Sequence, residues 1–394
     1  MAISASKDGC AMSASGQGMA ELADSIPIRV ALLLPHFRAG GAEGVALRLL
    51  EGFDRNCVAP TLVLQTREGE LLDRVPGDVP IVDLGGRRAA ASLRSLALLF
   101  DVHGFDIVHT FTNAASVLCQ GARMLSRRKP LTVLSEHTPL ALFMADAKRP
   151  VLRRALMQLT YPGATRIAAP IAAICDEHTA LLGSRCPPCV VLPNPILEAD
   201  TTAAAPRQHV PARARRLVSL CRLSPEKRPD LMIRAFALAF PEAEDAGLTI
   251  WGEGPMRGDL EALIAELGLE ARVRLAGYTR DVPAALAEAD LFLCTSEREG
   301  FGNAIVEAMA AGVPVLSVDC PFGPRYLLRD GVAGRLVIDE RPEALAAAIS
   351  DFAQDAAARE AAVQVAAHVA ATFTVGAAVK AHQALYSELT RKVC

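Results

Sequence analysis

The stretch "EREGFGNAIVEAMAAGVPVLS" occupies residues 297–317, and its reading decides the fold. Just before it, "LFLCTS" (291–296) is an uninterrupted run of the kind a buried strand shows. "NAIVEAMAA" (303–311) has helical spacing and stops at Gly312 with Pro314 beyond, both helix-end signals. "VPVLSVD" then opens another apolar run. Strand, loop, helix and strand in succession are the unit of a parallel α/β sheet. The unit puts Glu299 in the loop at the carboxyl end of a strand and Glu307 about one turn inside the next helix. In open α/β sheets that edge is where ligands sit.

The same unit recurs in both directions. "IRVALLLP" (28–35) begins a first series that continues through "PTLVLQT", "VPIVDL", "FDIVHTF", "LTVLSEH" and "TRIAAPIAAIC", with helical patterns between. A second series starts with "RLVSLCRLS" and runs through "LTIWGEG", "RVRLAGYT", "LFLCTSE", "VPVLSVD" and "GRLVID". The sequence thus predicts an α/β protein of two tandem Rossmann-like domains facing across a cleft. The expected boundaries are a disordered leader at 1–25, an N-terminal domain at 26–195, a Pro- and Ala-rich linker at 196–212 and a C-terminal domain at 213–372. The final pattern, 373–394, is an amphipathic helix expected to pack back across the interface.

Composition narrows the function. The chain has 394 residues, 51% of them hydrophobic, a net charge of −3, 5% aromatics and one Trp, which gives no general reason to bind a polyanion such as nucleic acid. Ten cysteines lie mostly in apolar runs and are read as free thiols of a reducing compartment. The one close pair, Cys186 and Cys189, lacks a second pair or a histidine at zinc spacing. No apolar run is long enough to span a bilayer, so the expected location is the cytoplasm.

Two carboxylates near a helix start suit two vicinal diols, because a carboxylate accepts hydrogen bonds in pairs. The N–H groups at Phe301, Gly302 and Asn303 favour an anion between them. Diol, diphosphate, diol is the outline of a nucleotide sugar. Glutamates alone would equally fit a loop charge and a solvent-facing helix residue. They are joined by Arg222 and Lys227 in "LCRLSPEKRPDLMIRAF", at a strand end and the following turn, where cations can hold a diphosphate. Gly40 and Gly41 in "RAGGAEG" stand at the first strand–helix turn, where backbone can approach a phosphate. Neither first turn carries the dinucleotide fingerprint, which excludes a nicotinamide dehydrogenase.

Together these stretches resemble the GT-B-type glycosyltransferases of group 1 (family four), which retain anomeric configuration. The resemblance rests on "EGFGNAIVE", "RLSPEKRPDLMIRAF", "WGEGP", "RLAGYTRDV", "EAMAAGVPV" and "DGVAG", nearly unbroken from about 215 to 335, and on "GGAE", "DIVHTF", "SEH" and "LPNP" in the N-terminal half. It implies that Glu307 holds ribose hydroxyls and Glu299 hydroxyls of the transferred sugar, and that Arg222 and Lys227 neutralise the leaving diphosphate. Backbone at Gly41, Phe301, Gly302, Asn303 and Ala304 would cradle phosphates and sugar, with the base near Tyr278 to Asp281. No two aspartates stand two apart, so the metal motif of the other main glycosyltransferase fold is missing, and no metal or other cofactor is expected.

His137 and His109 both end N-terminal strands. His137 is expected to act at the reacting sugar, and His109 to touch the acceptor or to support the site from behind. Phe111 stands where some relatives carry a further histidine, and Tyr326 where many carry glutamate. A front-face mechanism, with the donor's phosphate taking the acceptor proton, follows from the resemblance. Lys148, Arg149, Arg153 and Arg154 beside Leu152, Leu156 and Leu159 fit either a solvated helix or contact with an anionic bilayer. The expected partners are a nucleotide sugar donor and a glycan or lipid-linked acceptor of bacterial surface polysaccharide synthesis. The rival functions are a nucleotide-sugar epimerase and a non-catalytic nucleotide-sugar-binding scaffold.

Overall fold

The computed structural model describes residues 26–38, 40–86, 89–145, 149–198, 210–241, 245–320 and 322–392. The expected leader, most of the expected linker (199–209) and Lys148 lie outside them.

The first sheet has seven parallel strands: β1 (Ile28–Leu34), β2 (Val58–Leu64), β3 (Ile81–Asp83), β4 (Ile107–Thr110), β5 (Leu131–Ser135), β6 (Arg166–Ala169) and β7 (Cys189–Val191). Helices α1 (Gly41–Gly52), α2 (Ala89–His103), α3 (Asn113–Leu125), α4 (Leu140–Ala145), α5 (Pro150–Thr160) and α6 (Ala172–Leu182) connect them. The strand order is β3-β2-β1-β4-β5-β6-β7. Chain direction across the sheet reverses between β1 and β4, so the turns after those strands diverge and leave a crevice at their carboxyl ends.

The second sheet repeats the plan with β8 (Arg216–Leu220), β9 (Gly247–Trp251), β10 (Val273–Gly277), β11 (Leu291–Cys294), β12 (Val315–Val318) and β13 (Arg335–Val337), in the order β10-β9-β8-β11-β12-β13. Its helices are α7 (Pro229–Ala239), α8 (Arg257–Glu266), α9 (Val282–Ala287), α10 (Asn303–Ala310), α11 (Gly323–Leu327), α12 (Pro342–Gln354) and α13 (Ala356–Ala370). Here the switch lies between β8 and β11, the strands that precede Arg222 and Glu299. The two crevices face each other.

The chain returns to the first domain through α14 (Val375–Thr390). Val379, Leu385 and Tyr386 of that helix join the core formed by β1, β2 and β4, each burial contributing about 1.5–3 kcal/mol. Where the helix crosses, Phe373 O accepts from the N–H of Ile196 and of Leu197, and Val375 N–H donates to Leu197 O.

Two expectations need correction. "TRIAAPIAAIC" is not one β-rich run: β6 stops at Ala169, because Pro170 has no N–H for the ladder, and α6 begins two residues later. Cys119, Cys175, Cys186, Cys189, Cys221, Cys294 and Cys320 are free thiols, but Cys57 is disulfide-bonded. Among the described residues no helix is long and apolar enough to cross a membrane.

Candidate active site

The turns after β1, β4, β8 and β11 enclose one cavity in two lobes that share Gly41, Arg222, Asn303 and Ala304. The first lobe, about 650 Å³, is reached by Gly40, Arg48, Glu253, Tyr278 and Glu307. The second, about 660 Å³, is reached by Glu43, Asn113, His137, Lys227, Glu299 and the backbone of Phe301 and Gly302.

Lys227 ends a single 3-10 turn (Pro225–Lys227) directly before α7. Thr295 Oγ1 at the end of β11 donates to Lys227 O at 2.9 Å and Arg228 O at 3.0 Å, which pins that turn against the neighbouring strand. The Lys227 Nζ then lies 2.5 Å from Oε1 of Glu299, and Ser296 Oγ donates to the same oxygen at 2.8 Å. Burial pulls the Lys227 ammonium down, but the Glu299 charge and hydrogen bond outweigh it and hold the group above its ordinary value. Arg222 is exposed at the junction of the lobes.

Helix α10 starts from Gly302, whose φ of 99° is a left-handed conformation that glycine takes without strain. This aims the first N–H groups of the helix into the cavity, while the Phe301 ring turns away to meet Phe373 edge-on at 5.0 Å. Glu307, farther along α10, is largely buried in the first lobe. Burial lifts its carboxyl to about 6, against the opposing charge of Arg48. Tyr278 and Thr279 line that lobe beside Trp251. Of the residues expected beside them, Asp281 instead caps α9, accepting from Ala284 N–H at 2.9 Å.

The histidines separate. His137 lines the second lobe, with both ring nitrogens buried and the Asn194 carboxamide beside them. Burial, reinforced by the charge of His382, lowers its pKa to about 4, so it is neutral at pH 7. His109 lines neither lobe. It is fully buried, with Nδ1 2.6 Å from the Tyr386 hydroxyl and Nε2 2.6 Å from Ser135 Oγ, and it stacks behind Phe111 at 4.5 Å. It ties α14 to the first sheet.

On α5, Val151, Leu152 and Leu159 are 81%, 50% and 67% exposed, on a helix that also exposes Arg153 and Arg154 beside Arg149. The Arg153 guanidinium lies 4.6 Å over the ring of Phe143, which lines the second lobe. Among the described residues no three His, Cys, Asp or Glu side chains form a metal-holding group.

Sequence reading missed Glu43, Arg48, Asn113, Asn194 and Glu253. Asn113 had a signal, since Thr112 before it is a helix N-cap residue at a strand end. Arg48 had none: it reaches the lobe from the second turn of α1 and donates to Pro195 O at 3.1 Å.

Comparison with known proteins agrees with this geometry. The family described as glycosyl transferases group 1 matches residues 202–369, and glycosyltransferase family 4 matches residues 39–197. The N-acetylgalactosamine-N,N'-diacetylbacillosaminyl-diphospho-undecaprenol 4-alpha-N-acetylgalactosaminyltransferase of Campylobacter jejuni is 28% identical over 59% of this chain and 63% of its own length. An exopolysaccharide phosphotransferase of Streptomyces coelicolor is 30% identical over 68% of this chain and 27% of its own. The matches therefore span less than two thirds of either relative. HepE of Anabaena, crystallised with UDP and glucose, superimposes with a TM-score of 0.72 at 20% identity, covering 92% of this chain and 99% of that one, which speaks for a shared two-domain GT-B fold. The two family matches meet at the linker and take in the turns that build both lobes, and the chain belongs to the glycosyltransferases of group 1.

Proposed function

We propose that the protein is a retaining, metal-independent hexosyltransferase that moves a sugar from a nucleoside diphosphate to a glycan or lipid-linked acceptor in bacterial surface polysaccharide synthesis. One observation carries the reading: Arg222, Lys227, Glu299 and Glu307, from three separate loops and helices, meet in one cavity. The nucleoside occupies the first lobe, its ribose hydroxyls on Glu307. The diphosphate spans the junction, against the N-termini of α1 and α10 and the two cations. The sugar enters the second lobe beside Glu299 and His137.

In the transfer, the bond from the anomeric carbon to the diphosphate oxygen breaks and the acceptor hydroxyl attacks on the same face. Its proton passes to the departing phosphate oxygen, and a nucleoside diphosphate is released. Stabilising that leaving group is worth about 3 kcal/mol per well-placed donor, which Lys227 and Arg222 supply in place of a metal. Neutral His137 can offer one N–H to the sugar. The exposed basic and apolar side of α5, next to Phe143, would rest on an anionic membrane and bring a lipid-linked acceptor to the second lobe. The protein then works at the cytoplasmic face as a peripheral enzyme.

Calorimetry with UDP, GDP and ADP on wild type and Glu307→Ala tests the donor site. Micromolar binding of one nucleotide, lost in the variant, is expected; no binding of any would overturn the reading. Proton NMR of the product, with and without EDTA, tests retention and metal independence.

A further inference from the structure

The first lobe has a wall that the second domain does not supply. Helix α1 of the first domain lines it with Gly44 and, one turn on, Arg48, while Glu307 of α10 lines it from the second domain. Residues four apart share a helix face, so Gly44 and Arg48 border the same space. A Cβ built on Gly44 would meet nothing within 4 Å, which leaves that space open beside Arg48. Glycine inside a helix costs about 1 kcal/mol relative to alanine, and here it keeps the lobe clear of a side chain.

Arg48 is half-buried, and its Nη1 donates to Pro195 O at 3.1 Å, directly before the domain crossing at Ile196 and Leu197. That bond holds the guanidinium in place but takes only one of the N–H donors that its planar fork presents. Other charged side chains of the lobe are matched to side chains: Arg74 to Glu51 at 3.2 Å and Glu253 to Arg257 at 2.9 Å. Arg48 acts on Glu307 through its charge, with no hydrogen bond joining the two among the described residues.

A cation and a carboxylate that line one cavity from opposite domains select what fits between them. A phosphate would suit Arg48 and be repelled by Glu307, and an ammonium would do the reverse. A hydroxyl suits both, because its O–H donates to the carboxylate while its oxygen accepts from the guanidinium. A vicinal diol offers two such groups side by side.

We propose that Arg48 and Glu307 form a two-sided clamp on the ribose diol of the donor, so that the first domain grips the nucleoside together with the second and the site selects ribonucleotides. The inference rests on the donor reading of the first lobe.

The test uses the full chain and calorimetry with UDP, GDP and ADP, each beside its 2′,3′-dideoxy counterpart, on wild type, Arg48→Met and Arg48→Lys. For the nucleotide that binds, the readout is the ratio of ribo to dideoxy affinity on one preparation. Wild type is expected to prefer the ribonucleotide. In Arg48→Met, ribonucleotide affinity should fall about tenfold or more and dideoxynucleotide affinity by less than about twofold, so that the preference shrinks. Arg48→Lys keeps the charge, loses the planar fork and should fall between. A variant that only loosens the fold weakens both nucleotides alike; circular dichroism reports folding, and the wild-type preference is measured without any variant. Equal losses for both nucleotides, or a wild type that binds both equally, overturn the clamp and leave the donor site standing. No binding of any ribonucleotide by folded wild type removes the donor reading and the clamp with it.

Discussion

Lys227 and Glu299 neutralise each other across the two turns of the second crevice, Nζ to Oε1 at 2.5 Å. Their proposed roles point to different parts of the donor, diphosphate for one and sugar for the other. Donor binding must therefore share out a pair that is self-satisfied beforehand. Lys227→Ala is expected to lower kcat/KM by about 100- to 1,000-fold, the cost of losing one preorganised donor. Because the partners touch, the double variant with Glu299→Gln should lose less than the two single losses combined. Steady-state kinetics on the four proteins checks this; additive losses would mean the two side chains act independently.

Glu307 trades stability for binding. Its carboxyl is held at about 6 in the fold against an ordinary value of 4.5, chiefly by burial. Between those two values the native state binds more protons than the unfolded chain, so stability falls as pH rises through the window. The loss is complete above pH 6 and amounts to about 2 kcal/mol. Glu307→Gln should raise the melting temperature at pH 7 and leave it nearly unchanged at pH 4. The same variant should bind nucleoside diphosphate about 10- to 100-fold more weakly at pH 7, because hydrogen bonds from the ribose to a charged acceptor are lost. In wild type, nucleotide affinity should weaken as pH drops below 6, and that dependence should flatten in the variant. A melting temperature that drops at pH 7 would show that the carboxylate is well solvated after all.

The alternation of apolar runs and helices made both sheets legible, and the strand-end positions of Arg222 and Glu299 followed from it. Position along one strand–helix unit is a local property. What stayed hidden was the convergence of units distant in sequence. Asn113 enters the site only because the first sheet switches direction at β1 and β4, which brings the α3 start opposite the Gly40–Gly41 turn. His109 and His137 looked equivalent, since both end parallel strands. They differ because α14 returns over β4 and seals His109 behind Tyr386, a contact 277 residues away in sequence. The break at Pro170 is of another kind: a proline can end a strand or sit in a loop, and the apolar residues after it carry no period long enough to tell.

The exposed face of α5 makes a vesicle-binding prediction. Arg149, Arg153 and Arg154 should each contribute roughly 1 kcal/mol near an anionic surface, with Val151, Leu152 and Leu159 inserting beside them. Wild type is expected to float with vesicles containing anionic lipid and not with neutral ones, and to be released by high salt. Replacing the three arginines with glutamate should abolish flotation without changing nucleotide affinity, since all three lie outside both lobes. Equal flotation of the variant would place the contact elsewhere or remove it.

Gly300 sets how closely the domains approach. A methyl group there would stand 2.7 Å from His137 O and 3.3 Å from Pro139 Cδ, both on the opposite domain. The first neighbour is backbone and cannot swing aside as a side chain would. In Gly300→Ala the loop carrying Glu299 must therefore retreat from His137 by a few tenths of an ångström. Transfer depends steeply on such placement, about 100-fold per ångström, so kcat should fall roughly tenfold. The first lobe, with Glu307 and Tyr278, is untouched, so nucleoside diphosphate should bind as in wild type. Measuring kcat and nucleotide affinity on the same preparation separates the two. A variant that transfers at the wild-type rate would mean that catalysis occurs with the domains farther apart than this structure holds them, and that the contact at Gly300 belongs to the resting enzyme.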